Sequence, residues 1–249
     1  MPNLLGVKAH ISHPRICHWT TKALQNQKKR SNYKFLITNY CKVNMVGYFS
    51  FMKYALSNGH RCEATPSAKG TCQCCGGDMV AKCGTLKVWH WSHKVKRLCD
   101  HWWEPETEWH RAWKDQFPAE WQEVLEFASD GEKHVADIKT PEGFVVEFQH
   151  SAIKHEEKLA RERFYKNMVW VVDGRRTKND YPRFDTSESG WVNWPIHNTM
   201  RVHYPEYSLP KAWLNRTVPV IFDWGMDYKG SDDLRPMDLI CLLPQERII

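Results

Sequence analysis

Between Trp121 and His150 the hydrophobic pattern repeats every second residue in three successive segments, WQEVLEF, KHVADIKT and GFVVEFQH. Ser129 to Gly131 and Pro141 to Gly143 supply the turns between them. Period two over such lengths marks strands. A stretch from about His155 to Asn167, rich in Glu, Lys, Arg, Leu and Ala, predicts a helix and leads directly into the apolar strand MVWVVD. Three strands, a helix and a further strand confine the chain to an α/β core. Upstream, EPETEWHRAWKDQF predicts another helix: Pro105 suits its first turn, Glu106 and Glu108 favour its amino end, and Pro118 stops it.

The flanks are less patterned. Residues 1 to about 44 form a basic extension, expected to be flexible, because no Asp or Glu precedes Glu63; a short strand is expected within it at Phe35 to Asn39. The segment from Gly174 to about Leu209 reads as a long loop region with short helices. VPVIFDWG and MDLICLLP then read as two closing strands. This divides the chain into an extension (1–44), a turn-rich cysteine module (45–102) and a larger α/β domain (103–249).

Four of the nine cysteines crowd into Cys72 to Cys83. No apolar run approaches a membrane span and no secretory leader is evident at the start, so the expectation is a soluble, cytoplasmic chain in which crowded cysteines ligate metal rather than form disulfides. CQCCGG sets Cys72 and Cys75 at the spacing of a zinc knuckle, and HWSH supplies His90 and His93, which together make a tetrahedral set for structural Zn2+. Geometry objects to part of that set. In a straight strand residues three apart face opposite ways, so His90 and His93 share an ion only if the strand turns at Trp91-Ser92. If it stays straight, Cys99 or Cys83 replaces one histidine.

Strand phase also arranges the acids. Val135, Asp137 and Lys139 share one face of their strand, and Val145, Glu147 and Gln149 share one face of the next, so Asp137 can stand beside Glu147 across the Pro141–Gly143 turn. Paired carboxylates suit Mg2+ or Mn2+, which take hard oxygen ligands and retain water able to attack phosphorus. Glu108 on the preceding helix offers a third oxygen. A solvated hairpin whose charges never meet is the plain alternative for these residues. The net charge of +6 permits binding to a phosphate backbone without requiring it. No phosphate loop, nucleophile elbow or HExxH helix is present.

The order Glu108, Asp137, then EFQ with Glu147 and Gln149, followed by HS and a basic helix, resembles the competence-protein CoiA-like branch of the PD-(D/E)XK nuclease superfamily. CQCCGG through HWSH resembles the zinc-binding-like portion found before the nuclease domain there. The resemblance covers roughly residues 54 to 173. It implies a restriction-endonuclease-like core and Mg2+-dependent hydrolysis of DNA in competence, recombination or phage-related processing. Asp137 and Glu147 would be metal ligands, Glu108 would support them, and DNA would be the partner. Ala136 stands where proline is usual and Gln149 where lysine is usual, so a cation such as Lys139, Lys158 or Arg161 is expected to reach in unless the amide suffices. His110 and His150 are further candidates for moving protons. A catalytically silent DNA-binding protein of the same fold is the alternative.

Overall fold

The computed structural model describes residues 4–9, 52–95, 99–100, 102, 106–187, 192–193, 199–202, 204–225 and 239–242. The chain divides into two compact units, Lys42–Ser151 on one side and Met1–Cys41 with Ala152–Ile249 on the other. The cysteine module and the three acidic strands belong to one unit. The described helices include none long and apolar enough to cross a membrane.

The unit from Lys42 to Ser151 opens with a five-stranded sheet made of β2 (Tyr54–Ser57), β3 (His60–Glu63), β4 (Lys69–Thr71), β5 (Asp78–Lys82) and β6 (His90–His93), in the order β3-β2-β4-β5-β6. Asn58 and Gly59, with φ of 50° and 77°, make the two-residue turn between β2 and β3, which requires positive φ at both positions. The sheet closes over Trp91, which is fully buried with Met52, Ala55, Met79 and Cys72, and whose indole N–H donates to the Cys62 carbonyl at 3.0 Å. Gly70 is obligatory beside it, since a Cβ there would lie 2.8 Å from the Leu56 carbonyl oxygen and 3.3 Å from the Trp91 ring. This core is extended by Leu125 and Val135 of the strands that follow in the same unit.

Helix α1 (Glu108–Lys114) follows. It starts later than Pro105 because Thr107 caps it, its hydroxyl accepting from the His110 N–H at 3.2 Å. His110, Trp113 and Lys114, spaced i, i+3, i+4, form its buried face. A 3-10 turn at Ala119–Trp121 leads into the antiparallel strands β7 (Gln122–Phe127), β8 (Lys133–Lys139) and β9 (Val145–Gln149), ordered β9-β8-β7. Along β8, burial alternates residue by residue as the period-two pattern requires, with Ala136 and Ile138 inward. All five residues of β9 are buried, so its alternation separates two covered faces.

In the other unit, α2 (His155–Tyr165) and β10 (Met168–Asp173) occupy the predicted positions, and β10 pairs in parallel with β13 (Val220–Asp223). Glu162 ties the helix to this core, accepting from the Trp170 indole at 3.2 Å and from the Thr217 N–H at 3.0 Å. α3 (Asp180–Ser187) and α4 (Pro205–Ser208) are the expected short helices. β11 (Val192–Asn193) and β12 (Thr199–Val202) are strands where a loop was expected. Leu4–Ala9 forms β1, paired antiparallel with β12 and with β14 (Leu239–Leu242), so this part of the basic extension is built into the sheet. The strand expected at Phe35 to Asn39 lies outside the described residues.

Candidate metal centre and acidic cluster

Cys72, Cys75, His93 and Cys99 converge: one donor atom from each lies within 4.8 Å of all the others. The Cys72 and Cys99 sulfurs are 3.6 Å apart, and the Cys75 sulfur is 3.3 Å from His93 Nε2. Tetrahedral zinc with bonds of about 2.3 Å to sulfur and 2.0 Å to nitrogen has S–S edges of about 3.8 Å and S–N edges of about 3.5 Å, so the cluster is already at the size of the ion. The knuckle geometry explains how. Gly76, with φ of 67°, turns the chain after Cys75, and the Gly77 N–H donates to the Cys75 sulfur at 3.4 Å. Hydrogen bonding from Cys99, aided by the backbone N–H groups of Cys75 and Cys74 and opposed by burial, draws the Cys72 thiol down to about 5, while the same bond and burial push Cys99 up. Three sulfurs, one of them poised as thiolate, and one imidazole can chelate a zinc-like metal ion.

His90 is not part of this group. β6 runs straight alongside β5, with Lys82 opposite His90 and Met79 opposite His93, so the two histidines point to opposite faces, as strand geometry requires. His90 is buried with Nδ1 2.8 Å from the Val88 carbonyl, and Cys99 takes the fourth position. Cys83 also lies outside the cluster, and Cys74 directs its thiol at the Cys99 carbonyl.

Immediately after Cys99, Asp100 fastens the cluster to β8. Its carboxylate accepts from the Trp102 and Val135 N–H groups, each at 2.9 Å, and sits 2.8 Å from His134 Nδ1. The His134 ring stacks on Trp102 with centroids 3.3 Å apart. Lys133 reaches back to the Cys74 carbonyl at 2.5 Å. The cysteine–histidine cluster and the strand bearing Asp137 are thereby parts of one hydrogen-bonded assembly.

Asp137 and Glu147 do stand together. The β8–β9 register, Ile138 opposite Val146 and Lys139 opposite Val145, continues to Asp137 opposite Glu147. There the side chains replace the ladder: the Asp137 N–H donates to Glu147 Oε1 at 3.1 Å, and the Phe148 N–H donates to Asp137 Oδ2 at 3.0 Å. Glu147 is buried while Asp137 keeps 22% of its side chain exposed.

Glu108 does not join them as a third ligand. At 100° per residue it lies on the far side of α1 from the His110–Trp113–Lys114 face, and it shares no metal-sized span with Asp137 and Glu147. The acids brought close are different ones. Lys114 is buried with its ammonium 3.0 Å from Asp137, 3.2 Å from Glu123 and 3.3 Å from Glu106. Burial would lower its pKa, but Asp137, Glu106 and Glu123 together raise it well above the ordinary lysine value. Burial likewise favours protonated Asp137, and Lys114, His110 and the Phe148 N–H outweigh it, so Asp137 titrates below the usual carboxylate range.

Glu123 reaches the cluster through an unusual backbone. With φ of 46° at the second residue of β7, it turns its carboxylate to accept from the Lys53 N–H at 2.8 Å and the Tyr54 N–H at 3.0 Å while facing Lys114. A non-glycine residue in that region costs on the order of 1–3 kcal/mol and is held there by its surroundings.

The other expected cations are engaged elsewhere. Lys139 is ion-paired with Glu126, Lys158 donates to the Ala212 carbonyl at 2.9 Å and to that of Asn215, and Arg161 pairs with Glu157 at 2.6 Å. Gln149 is buried, its amide N–H group donating to the Ser151 carbonyl at 3.2 Å. His110 uses Nε2 toward the Phe148 carbonyl and Nδ1 toward the Thr107 hydroxyl, both at 3.0 Å, and so braces α1 against β9. His150 lies against Trp109, ring centroids 6.2 Å apart. Of the residues that reasoning on sequence passed over, Lys114 was the most accessible, since it lies on the same helical face as His110 and Trp113. No family model, curated protein or solved structure matches this chain.

Proposed function

We propose that the protein is a metal-dependent deoxyribonuclease of the PD-(D/E)XK type, hydrolysing phosphodiester bonds of DNA at Asp137 and Glu147, with a structural zinc module upstream. The observation that carries this reading is the opposed Asp137–Glu147 pair on β8 and β9 with a buried ammonium 3.0 Å from Asp137. In chain order the elements run α1, β7, β8, β9, α2, β10, the order of helices and strands that this reading expects.

The donor set suits a hard divalent ion. Two carboxylates lie on one rung, and each oxygen that accepts one hydrogen bond keeps a further lone pair. Asp137 and Glu147 would hold Mg2+ or Mn2+, which when bound supplies Lewis acidity toward a phosphoryl oxygen and an acidified water. The chain's own residues do the rest. Lys114 keeps Asp137 ionised and places beside it the fixed positive charge that Gln149 lacks. Gln149, braced on Ser151, is suited to orient a water, not to exchange a proton with it. The Phe148 N–H and the His110 brace fix the direction of the Asp137 carboxylate and of β9.

A metal-titrated assay on single-stranded, duplex and branched DNA tests this. Mg2+ or Mn2+ should support cleavage, Asp137→Ala and Glu147→Ala should abolish it, and Gln149→Ala should slow it with metal binding retained. Cleavage that survives in Asp137→Ala would remove the assignment. A second reading, a silent DNA-binding protein of nuclease-like fold, is favoured by the burial of Glu147. Affinity for DNA without cleavage under any metal would establish it.

A further inference from the structure

The seven-residue connection between β5 and β6 carries the most exposed apolar side chain among the described residues, Leu86 at 89%, and beside it Trp89 at 48%. Neither exposure is explained by the zinc cluster or the acidic pair. Between Asp78, whose carbonyl accepts from the Lys94 N–H at the base of the hairpin, and Asp100, residues 79 to 99 contain Lys82, Lys87, Lys94, Lys96 and Arg97 and no Asp or Glu. Lys82 and Lys94 are exposed at the two ends of the hairpin strands. Trp89 is also held in place. Its indole N–H donates across the loop to the Gly84 carbonyl at 3.2 Å, and its own carbonyl accepts from Arg111 on α1 at 3.1 Å. The polar edge of the ring is therefore satisfied internally and what faces solvent is apolar surface.

We infer that this hairpin is a docking surface for single-stranded DNA, in which Trp89 and Leu86 stack against exposed bases while Lys82, Lys87 and Lys94 follow the phosphates. A fixed aromatic ring beside exposed lysines is the chemistry that single strands select, because every base offers a π face and every linkage a negative charge. A duplex hides its bases in the stack and offers the ring nothing equivalent. The inference rests on the reading that the chain acts on DNA, and it adds which form of DNA is gripped and where.

The test is binding of a fluorescent oligodeoxythymidylate and of a duplex of the same length to the full, zinc-loaded chain in buffer without Mg2+. Under these conditions binding is measured apart from cleavage. Trp89→Ala should weaken single-strand binding about tenfold to a hundredfold with the salt slope unchanged, and Trp89→Phe should recover most of it. Lys82→Ala/Lys94→Ala should make the salt dependence shallower, by roughly 0.7 for each phosphate no longer neutralised. Zinc content and circular dichroism equal to wild type show that each variant is folded. Unchanged affinity of folded Trp89→Ala, or equal effects on duplex and single strand, would overturn the inference. The Trp89 effect without cleavage of any DNA would remove the nuclease reading and leave the hairpin standing. Cleavage without a Trp89 effect would do the reverse.

Discussion

Replacing Lys114 by Met keeps most of the volume of the side chain and removes the charge that three acids share. Each acid keeps something. Glu106 retains Arg111 at 2.6 Å, Glu123 the N–H groups of Lys53 and Tyr54, and Asp137 the Phe148 N–H. Breaking a buried ion pair costs about 3–5 kcal/mol, and these residual partners place the variant near the lower end, at about 3 kcal/mol in neutral solution. The pH dependence follows from sign. Glu106 and Asp137 have folded-state pKa values below the ordinary carboxylate value, so in the wild type their stabilisation is full above that value and is lost as pH falls through the folded one. Without Lys114 the folded values rise, an acid can bind a proton instead of standing uncompensated, and the penalty shrinks as pH falls from neutral toward about 5. Urea unfolding of both proteins at pH 7 and pH 5 reads this out. A destabilisation under about 1 kcal/mol at pH 7, or one that does not diminish at pH 5, would show that the cluster does not depend on the ammonium.

Metal analysis should find about one zinc per chain, absent from Cys99→Ser and His93→Ala and kept in His90→Ala, with chelation loosening residues 60 to 100 first in hydrogen exchange. Gly70→Ala should destabilise the cysteine module by about 1–3 kcal/mol in chemical unfolding, because the added Cβ meets a strand carbonyl that cannot give way. Glu123→Ala should cost about 3 kcal/mol in the same assay, since it strands the Lys53 and Tyr54 N–H groups and one flank of Lys114.

Local pattern reached the elements and much less of their assembly. Strict alternation made β7 to β9 legible, and with them the pairing of Asp137 with Glu147, because a hairpin register follows from the turn that joins its strands. The straightness of β6 was a geometric condition stated from spacing alone, and its consequence, Cys99 in place of His90, followed from that condition. β1, β11 and β12 were not legible: Val192–Asn193 is too short to show a period, and Leu4–Ala9 is a strand by virtue of partners some two hundred residues away. The charge cluster was hidden for a similar reason. Lys114 ends a short helix, Glu106 precedes it and Glu123 lies on the next strand, so no local period links them. Only the approach of Glu123, turned inward by a positive φ that no sequence pattern announces, makes Lys114 the centre of a buried group. Glu108 was chosen by its place in a motif. Helical phase counted from the His110–Trp113–Lys114 face sets it on the opposite side of α1.

If Asp137 and Glu147 form a hydrolytic metal centre to which Glu108 is not essential, Mg2+-dependent DNA cleavage measured side by side for wild type, Asp137→Asn and Glu108→Gln at equal zinc content must separate the two acids. Wild type and Glu108→Gln should cleave at comparable rates, and Asp137→Asn should show nothing above background. Cleavage abolished in Glu108→Gln but kept in Asp137→Asn, or no cleavage by the wild type with either Mg2+ or Mn2+, would be incompatible with a hydrolytic centre at this pair.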